Sequence, residues 1–157
     1  MNVTVPYKQA VIPFIEDLSP LAKKTNSVNT ICKKNGRIYG DNTDCFGFEL
    51  ALKDLKISFL NKSAFIIGAG GVVPSIIFAL QNLGVDKIYV TNRTKAKLIV
   101  CELSLLKTFE PIEIIKRSCT VQPFVQLLNT YDVISYTAFL EVGLEILQCD
   151  SQYICHI

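Results

Sequence analysis

The chain has 157 residues, half of them hydrophobic, and a formal net charge of +2. That is core material for one ordinary domain or two small ones, and the near-neutral balance gives no electrostatic case for nucleic acid or an anionic membrane surface. The cysteines (Cys32, Cys45, Cys101, Cys119, Cys149 and Cys155) form no CxxC pair, and the only histidine is His156. No metal site is expected from that set, and scattered reduced thiols fit a cytoplasmic chain better than a disulfide framework does. The first residues lack a basic stretch followed by an apolar one, so no secretory leader is expected.

Asn2 to Val5 alternates polar and apolar residues as a short strand does, and Pro6 ends it. Val11, Ile12 and Ile15 have helical spacing that Pro13 should split. Ser19-Pro20 places an N-cap before a proline at the first helical position, so a short helix starts there. Residues 27–39 read as a hairpin turning at Asn35-Gly36. From Asp44 the period changes, and Phe48, Ala51, Leu52 and Leu55 share one helical face, with Asn42 or Thr43 as the cap. This helix is expected to carry the chain from a first lobe, residues 1–57, to a second, residues 58–157.

The second lobe opens with the apolar run Ala64–Ile67, then Gly68-Ala69-Gly70-Gly71, then a helix to about Asn82 with Gly84 as its stop. Lys87–Thr91 predicts a strand, and Ala96, Ile99, Val100 and Leu103 predict a helix capped by Thr94. Ile112–Ile115 and Val133–Tyr136 read as strands on either side of a weak helix at 125–128. Residues 148–157 show no clear period. No charged residue lies between Lys62 and Asp86, long enough to cross a bilayer. Gly68, Gly70, Gly71, Pro74 and Gly84 break that span, so a buried strand followed by a packed helix explains it better. Strand alternating with helix gives an α/β fold with a parallel sheet.

A strand, a glycine turn and a helix together suit a phosphate, because the turn lets backbone approach closely and the new helix offers N–H groups. Val73 stands where the common GxGxxG pattern has its third glycine, so the turn alone is a weak signal. The end of the next strand says more. In NAD-selective sites an acid there binds the ribose 2′-hydroxyl. Here the residues are Thr91-Asn92-Arg93-Thr94-Lys95, without an acid, and a guanidinium suits a 2′-phosphate. The expected cofactor is NADP. The competing explanation is an ordinary solvated helix start at Arg93 and Lys95.

The first lobe carries two polar clusters: Asn2, Thr4 and Lys8, and then Asn29, Thr30, Asn42, Thr43 and Asp44. A carboxylate that fixes an ammonium makes an acid–base pair, whose amine gives a proton to a carbonyl oxygen as hydride reaches the carbon. Asn and Thr suit a polyhydroxylated ligand, although each taken singly is also a common turn or cap residue.

In order, Asn2-Val-Thr-Val-Pro-Tyr-Lys8, Val28-Asn29-Thr30, Gly40-Asp-Asn-Thr-Asp44 with Gly47, Gly68-Ala-Gly-Gly71 and Asn92-Arg-Thr94 resemble the hallmark motifs of the shikimate dehydrogenase family. The resemblance runs from residue 1 to about 100. It implies a substrate-binding lobe followed by a Rossmann-type sheet, and NADP-linked interconversion of 3-dehydroshikimate and shikimate on the route to aromatic amino acids. It also implies Lys8 and Asp44 as the catalytic pair and Thr4 and Asn29 as further substrate contacts. Gly68, Ala69, Gly70 and Gly71 would form the pyrophosphate turn, and Asn92, Arg93 and Thr94 the 2′-phosphate loop. The chain departs from the pattern at Asn26-Ser27, at Val72-Val73-Pro74, and at Ile134–Ala138, where only Thr137 fits.

Family members carry a strand and helix with two serines before the Asn-Val-Thr motif. Beyond the fourth strand they continue to a closing helix whose glutamine contacts substrate. The expectation here is therefore a partial substrate lobe and a truncated Rossmann-type sheet, poorly stable alone and prone to self-association. Three readings follow: a shortened shikimate dehydrogenase, a shikimate or quinate dehydrogenase completed by another chain, and a non-catalytic NADP-binding remnant.

Overall fold

The computed structural model describes residues 1–56, 58–92 and 96, together with the backbone of 133–136, 145–149 and 152–156. Two sheets organise these residues. The first has the order β1-β3-β2, built from β1 (Asp17–Leu18), β2 (Thr30–Lys34) and β3 (Arg37–Asp41). β2 and β3 form the predicted hairpin, from Thr30 opposite Asp41 to Lys34 opposite Arg37. Its turn has Asn35 at φ 52° and Gly36 at φ 82°, the paired positive angles that match the twist of the flanking strands. β1 lies parallel on the other side of β3. At that crossing a Cβ on Gly40 would lie 3.0 Å from Leu18 Cδ2 and 3.1 Å from both Ile15 Cγ2 and Val28 Cγ2, so any larger residue would have to push these side chains back.

The N-terminal stretch follows the sheet edge more briefly than its alternation predicts. Asn2 bridges Thr30, and the Val3 N–H donates to the Asn29 carbonyl at 2.7 Å. The Tyr7 N–H then closes a turn on the Thr4 carbonyl, which takes the backbone out of the sheet. Pro13 has the predicted effect, leaving a 3₁₀ turn at Ile12–Phe14 instead of a longer helix. α1 (Pro20–Thr25) starts where expected, with the Ser19 hydroxyl accepting the Ala22 N–H at 3.0 Å.

The second sheet has the order β5-β4-β6-β8-β7, with β4 (Ser63–Ile67), β5 (Lys87–Thr91), β6 (Val133–Tyr136), β7 (Glu145–Cys149) and β8 (Gln152–His156). β4, β5, β6 and β8 are parallel neighbours, whereas β7 runs antiparallel to β8. The last two strands fall partly on a stretch with no readable period, and they give the sheet an antiparallel edge that strand–helix alternation does not predict. The predicted helix through Leu103, apart from Ala96, lies outside the described residues, as do the strand at 112–115 and the helix at 125–128.

The core sits on the β4–β5 end. Ala64, Phe65 and Ile66 of β4 are all buried, so no alternating pattern shows in this strand. α3 (Val73–Asn82) buries Val73, Ile76, Ile77, Ala79 and Leu80 against it. α2 (Asp44–Asp54) adds Cys45, Phe48 and Leu52 and packs on α3. The helix expected to link two lobes is thus also part of the second sheet's core. α3 stops at Gly84, whose φ of 83° lets the Val85 N–H reach back to the Leu80 carbonyl at 3.0 Å. Among the described residues no helix is long and apolar enough to cross a membrane.

Candidate active site

Lys8 and Asp44 meet although 36 positions separate them: Lys8 Nζ donates to Asp44 Oδ2 at 2.8 Å. Three local devices bring them together. The Lys8 carbonyl accepts the Val28 N–H at 2.9 Å, which pins the lysine backbone beside the start of β2. Asp44 opens α2, where a carboxylate is favoured by the helix N-terminus. Asn29 stands between them, its N–H bound to the Asp41 carbonyl and its carbonyl to Val3.

Asn29 Nδ2 donates to Asp44 Oδ1 at 2.8 Å, so each carboxylate oxygen has a donor. Asn29 Oδ1 accepts the Thr43 N–H and the Thr30 hydroxyl, both at 3.0 Å. The lysine and aspartate side chains are 14% and 21% exposed: shielded enough to hold their geometry, open enough to meet a ligand. Lys8 spends one of its three donors on Asp44, which leaves donors for a carbonyl or hydroxyl oxygen. Thr4 is exposed and joins none of these hydrogen bonds.

The other predicted group lies at the carboxyl edge of the second sheet. Ile67 and Thr91 end β4 and β5 in register, and the Gly68 N–H donates to the Thr91 carbonyl at 2.7 Å, so the glycine turn and Asn92 are neighbours. Gly68 has φ 118°, a conformation that disfavours any side chain. Among the described residues, a Cβ added to Gly70 or Gly71 would meet nothing within 4 Å, so they leave space open above this turn. Arg93 and Thr94 lie outside the described residues, as does Thr137.

One expectation needs correction. The first turn of α3 was expected to offer free N–H groups, but the Val73 N–H donates to the Gly70 carbonyl and the Ser75 N–H to the Val72 carbonyl. Pro74, between them, has no N–H. Any anion here would rest chiefly on the amides of the turn itself.

Other polar side chains support the site. Asn42, 2% exposed, donates to Thr25 Oγ1 and Ser75 Oγ, each at 2.9 Å, and accepts the Asp44 N–H at 3.0 Å. It therefore takes the capping role for α2 that sequence left open between Asn42 and Thr43, whose own side chain makes no cap bond. Thr25 and Ser75 are functionally silent in the sequence. Their only signal is a hydroxyl within an otherwise apolar helical face. Burial, with the nearby charges of Glu49 and Asp44, pushes the Cys45 thiol up to about 11, so it is no nucleophile near neutral pH. Glu49 is held below the usual carboxylate range by hydrogen bonds from Lys53 and Asn82. Among the described residues, no group of three His, Cys, Asp or Glu side chains is placed to hold a metal ion.

Solved structures share this fold. Shikimate dehydrogenase from Aquifex aeolicus matches with a TM-score of 0.72 at 34% identity, over 90% of this chain and 48% of that one. The Thermus thermophilus enzyme in complex with NADP(H) and shikimate matches with a TM-score of 0.67 at 25% identity, over 91% of this chain and 48% of that one. The α/β fold, in which a parallel sheet with a glycine turn follows the elements that carry the lysine–aspartate pair, is of the class seen in these dehydrogenases. The family model of the shikimate dehydrogenase substrate binding domain matches residues 1–31, and the shikimate dehydrogenase (NADP(+)) of Pelagibacter ubique is 46% identical over 133 residues, 85% of this chain and 48% of that relative. The chain belongs to the shikimate dehydrogenase family. It spans about half the length of these relatives.

Proposed function

We propose that residues 1–57 hold shikimate or 3-dehydroshikimate, that residues 58–157 hold NADP, and that the chain takes part in the reversible oxidation of shikimate. One observation carries this reading: Lys8, Asp44 and Asn29, far apart in sequence, form one hydrogen-bonded unit with lysine donors left for a ligand oxygen. NADP, when bound, supplies or accepts the hydride. Lys8 then gives its proton to the carbonyl oxygen that becomes a hydroxyl, and takes one back in the reverse direction. Asp44 fixes the direction of the ammonium, and Asn29 fixes Asp44. Such positioning is what an oriented proton transfer requires.

Thr4 and Asn29 are the further substrate contacts in this reading. Gly68, Ala69, Gly70 and Gly71 would hold the pyrophosphate, and Asn92, Arg93 and Thr94 the 2′-phosphate. The open space above Gly70 and Gly71 supports a bulky group there. The bound amides of Val73 and Ser75, with Pro74 between them, favour a weaker hold than a helix with free first-turn donors gives. Free Cys32 and Cys45 fit a reducing compartment, and the proposed location is the cytoplasm. Exposed Phe14, Phe46 and Leu60 support self-association, which sedimentation tests directly.

The test is absorbance at the nicotinamide band with the purified chain, shikimate and NADP+. A rise that needs both compounds is the expected result. A flat trace from folded protein overturns the proposed turnover, and calorimetric titration with NADP+ then separates a chain that only binds the dinucleotide from one that does not. Quinate in place of shikimate reads out the substrate preference.

A further inference from the structure

Asn42 is enclosed where the first lobe meets α3, and both its amide hydrogens and its amide oxygen are engaged. The two Nδ2 hydrogens go to Thr25 Oγ1 in α1 and Ser75 Oγ in α3, and Oδ1 receives the Asp44 N–H. The partners force this orientation. A backbone N–H can only donate, and the Thr25 hydroxyl gives its hydrogen to the Leu21 carbonyl at 2.8 Å, so it faces Asn42 as an acceptor. Thr25 and Ser75 are 1% and 0% exposed, so water cannot replace a lost bond here. By contrast, the hydrogen bond from Asn82 to Glu49 and the stacking of Lys24 over Phe78 at 4.4 Å involve exposed side chains.

One buried side chain thus joins the residue carrying the site carboxylate to the helix that opens directly after the glycine turn. A shift of the first turn of α3 must either break a buried hydrogen bond or carry Asn42, and with it the Asp44 backbone. An unpaired buried amide is costly, so moving together is the favoured course. We infer that Asn42 is a positioning residue that couples the two half-sites, so that a dinucleotide seated at the glycine turn and a hydroxylated ring acid seated at Lys8 and Asp44 each raise the affinity for the other. The ligand identities rest on the function proposed above; the mechanical link rests on geometry alone.

Ser75→Ala removes the acceptor on α3 and touches neither proposed ligand. Thr25→Val removes the acceptor on α1 and leaves the bond to α3, so it controls for simple loss of packing. Two readouts are needed on the full chain. The first is amide hydrogen exchange at Asp44 relative to Ile66 in the core. Ser75→Ala is expected to raise that ratio fivefold or more, and Thr25→Val to leave it within about twofold. The second is NADP+ affinity with and without saturating shikimate. The wild type is expected to show an enhancement of about fivefold or more, which Ser75→Ala abolishes and Thr25→Val retains.

An unchanged exchange ratio in Ser75→Ala, or equal effects of the two variants on both readouts, overturns the inference. If the wild type binds neither compound, the proposed function fails, and the exchange ratio still decides the link. If Ser75→Ala does not fold, Ser75→Cys gives the same comparison, because a thiol is a poorer acceptor.

Discussion

Replacing Lys8 with Met keeps most of the length and removes the charge. Asp44 then retains the Asn29 donor at 2.8 Å but loses the ammonium at the same distance. Charge-assisted hydrogen bonds of this kind contribute about 1.5–3 kcal/mol. The carboxylate is 21% exposed and can recruit water, which puts the expected loss at the lower end, about 1–2 kcal/mol. Asp44→Asn is expected to cost a similar amount, because its single amide oxygen can accept from Lys8 or from Asn29 but not from both, and the charge is gone. The double variant Lys8→Met/Asp44→Asn contains neither charge, so its loss should fall short of the sum of the single losses by about 1 kcal/mol or more. Chemistry should behave differently. Each single variant is expected to lose about 10²- to 10⁴-fold in turnover, and the double variant should recover none of it. Urea unfolding and nicotinamide absorbance measure the two effects separately. A Lys8→Met chain that keeps its rate within threefold would refute Lys8 as the proton donor. Strictly additive stabilities would refute the pair as a stabilising contact.

Gly68→Ala forces a side chain onto a residue at φ 118° and should cost roughly 1–3 kcal/mol in urea unfolding, with weaker NADP+ binding by titration. Leu52→Ala empties a fully buried position between α2 and α3 and should cost about 2–5 kcal/mol, with a matching fall in melting temperature. For Cys45 the folded value, about 11, lies above the ordinary value of 9.0, so the folded state keeps a proton that the unfolded chain loses as pH rises past 9. The associated stability is complete below pH 9 and disappears as pH rises toward 11. Cys45→Ala, which empties a buried position, should lie below wild type at pH 8, with the gap shrinking by roughly 1 kcal/mol at pH 10. A gap that stays constant across that range would contradict the assignment.

The fold was legible where local chemistry decides it. Ser19-Pro20 announced α1, Asn35-Gly36 announced the hairpin, and Gly84 announced the end of α3. These signals need only a cap, a pair of positive φ angles or a missing Cβ, all properties of one or two residues. β4 was readable for the opposite reason: burial on both faces leaves a plain apolar run. The hairpin of β7 and β8 was not readable, because its pairing with β6 joins segments whose partners are chosen by the sheet. Periodicity in an isolated stretch carries no record of that choice.

The site divides along the same line. The polar clusters flagged Lys8, Asn29 and Asp44 as residue types, and their meeting depends on β2 and α2 being placed by the rest of the lobe. Asn42 reads in the sequence as one of two candidate caps with Thr43, and its side chain is the one that accepts the Asp44 N–H at the start of α2. Its other two bonds reach α1 and α3, and nothing local to residues 40–44 foretells them. The glycine turn shows the converse. Its glycines describe the opening above the sheet well, yet the donors expected from α3 are spent within the turn or absent at Pro74. A motif records which shapes the backbone can take, whereas the hydrogen bonds that remain for a ligand depend on how the neighbouring residues use their own. The most informative residue for linking the two halves is accordingly Ser75: a small hydroxyl without a motif of its own, placed where α3 meets the one buried amide that also holds Asp44.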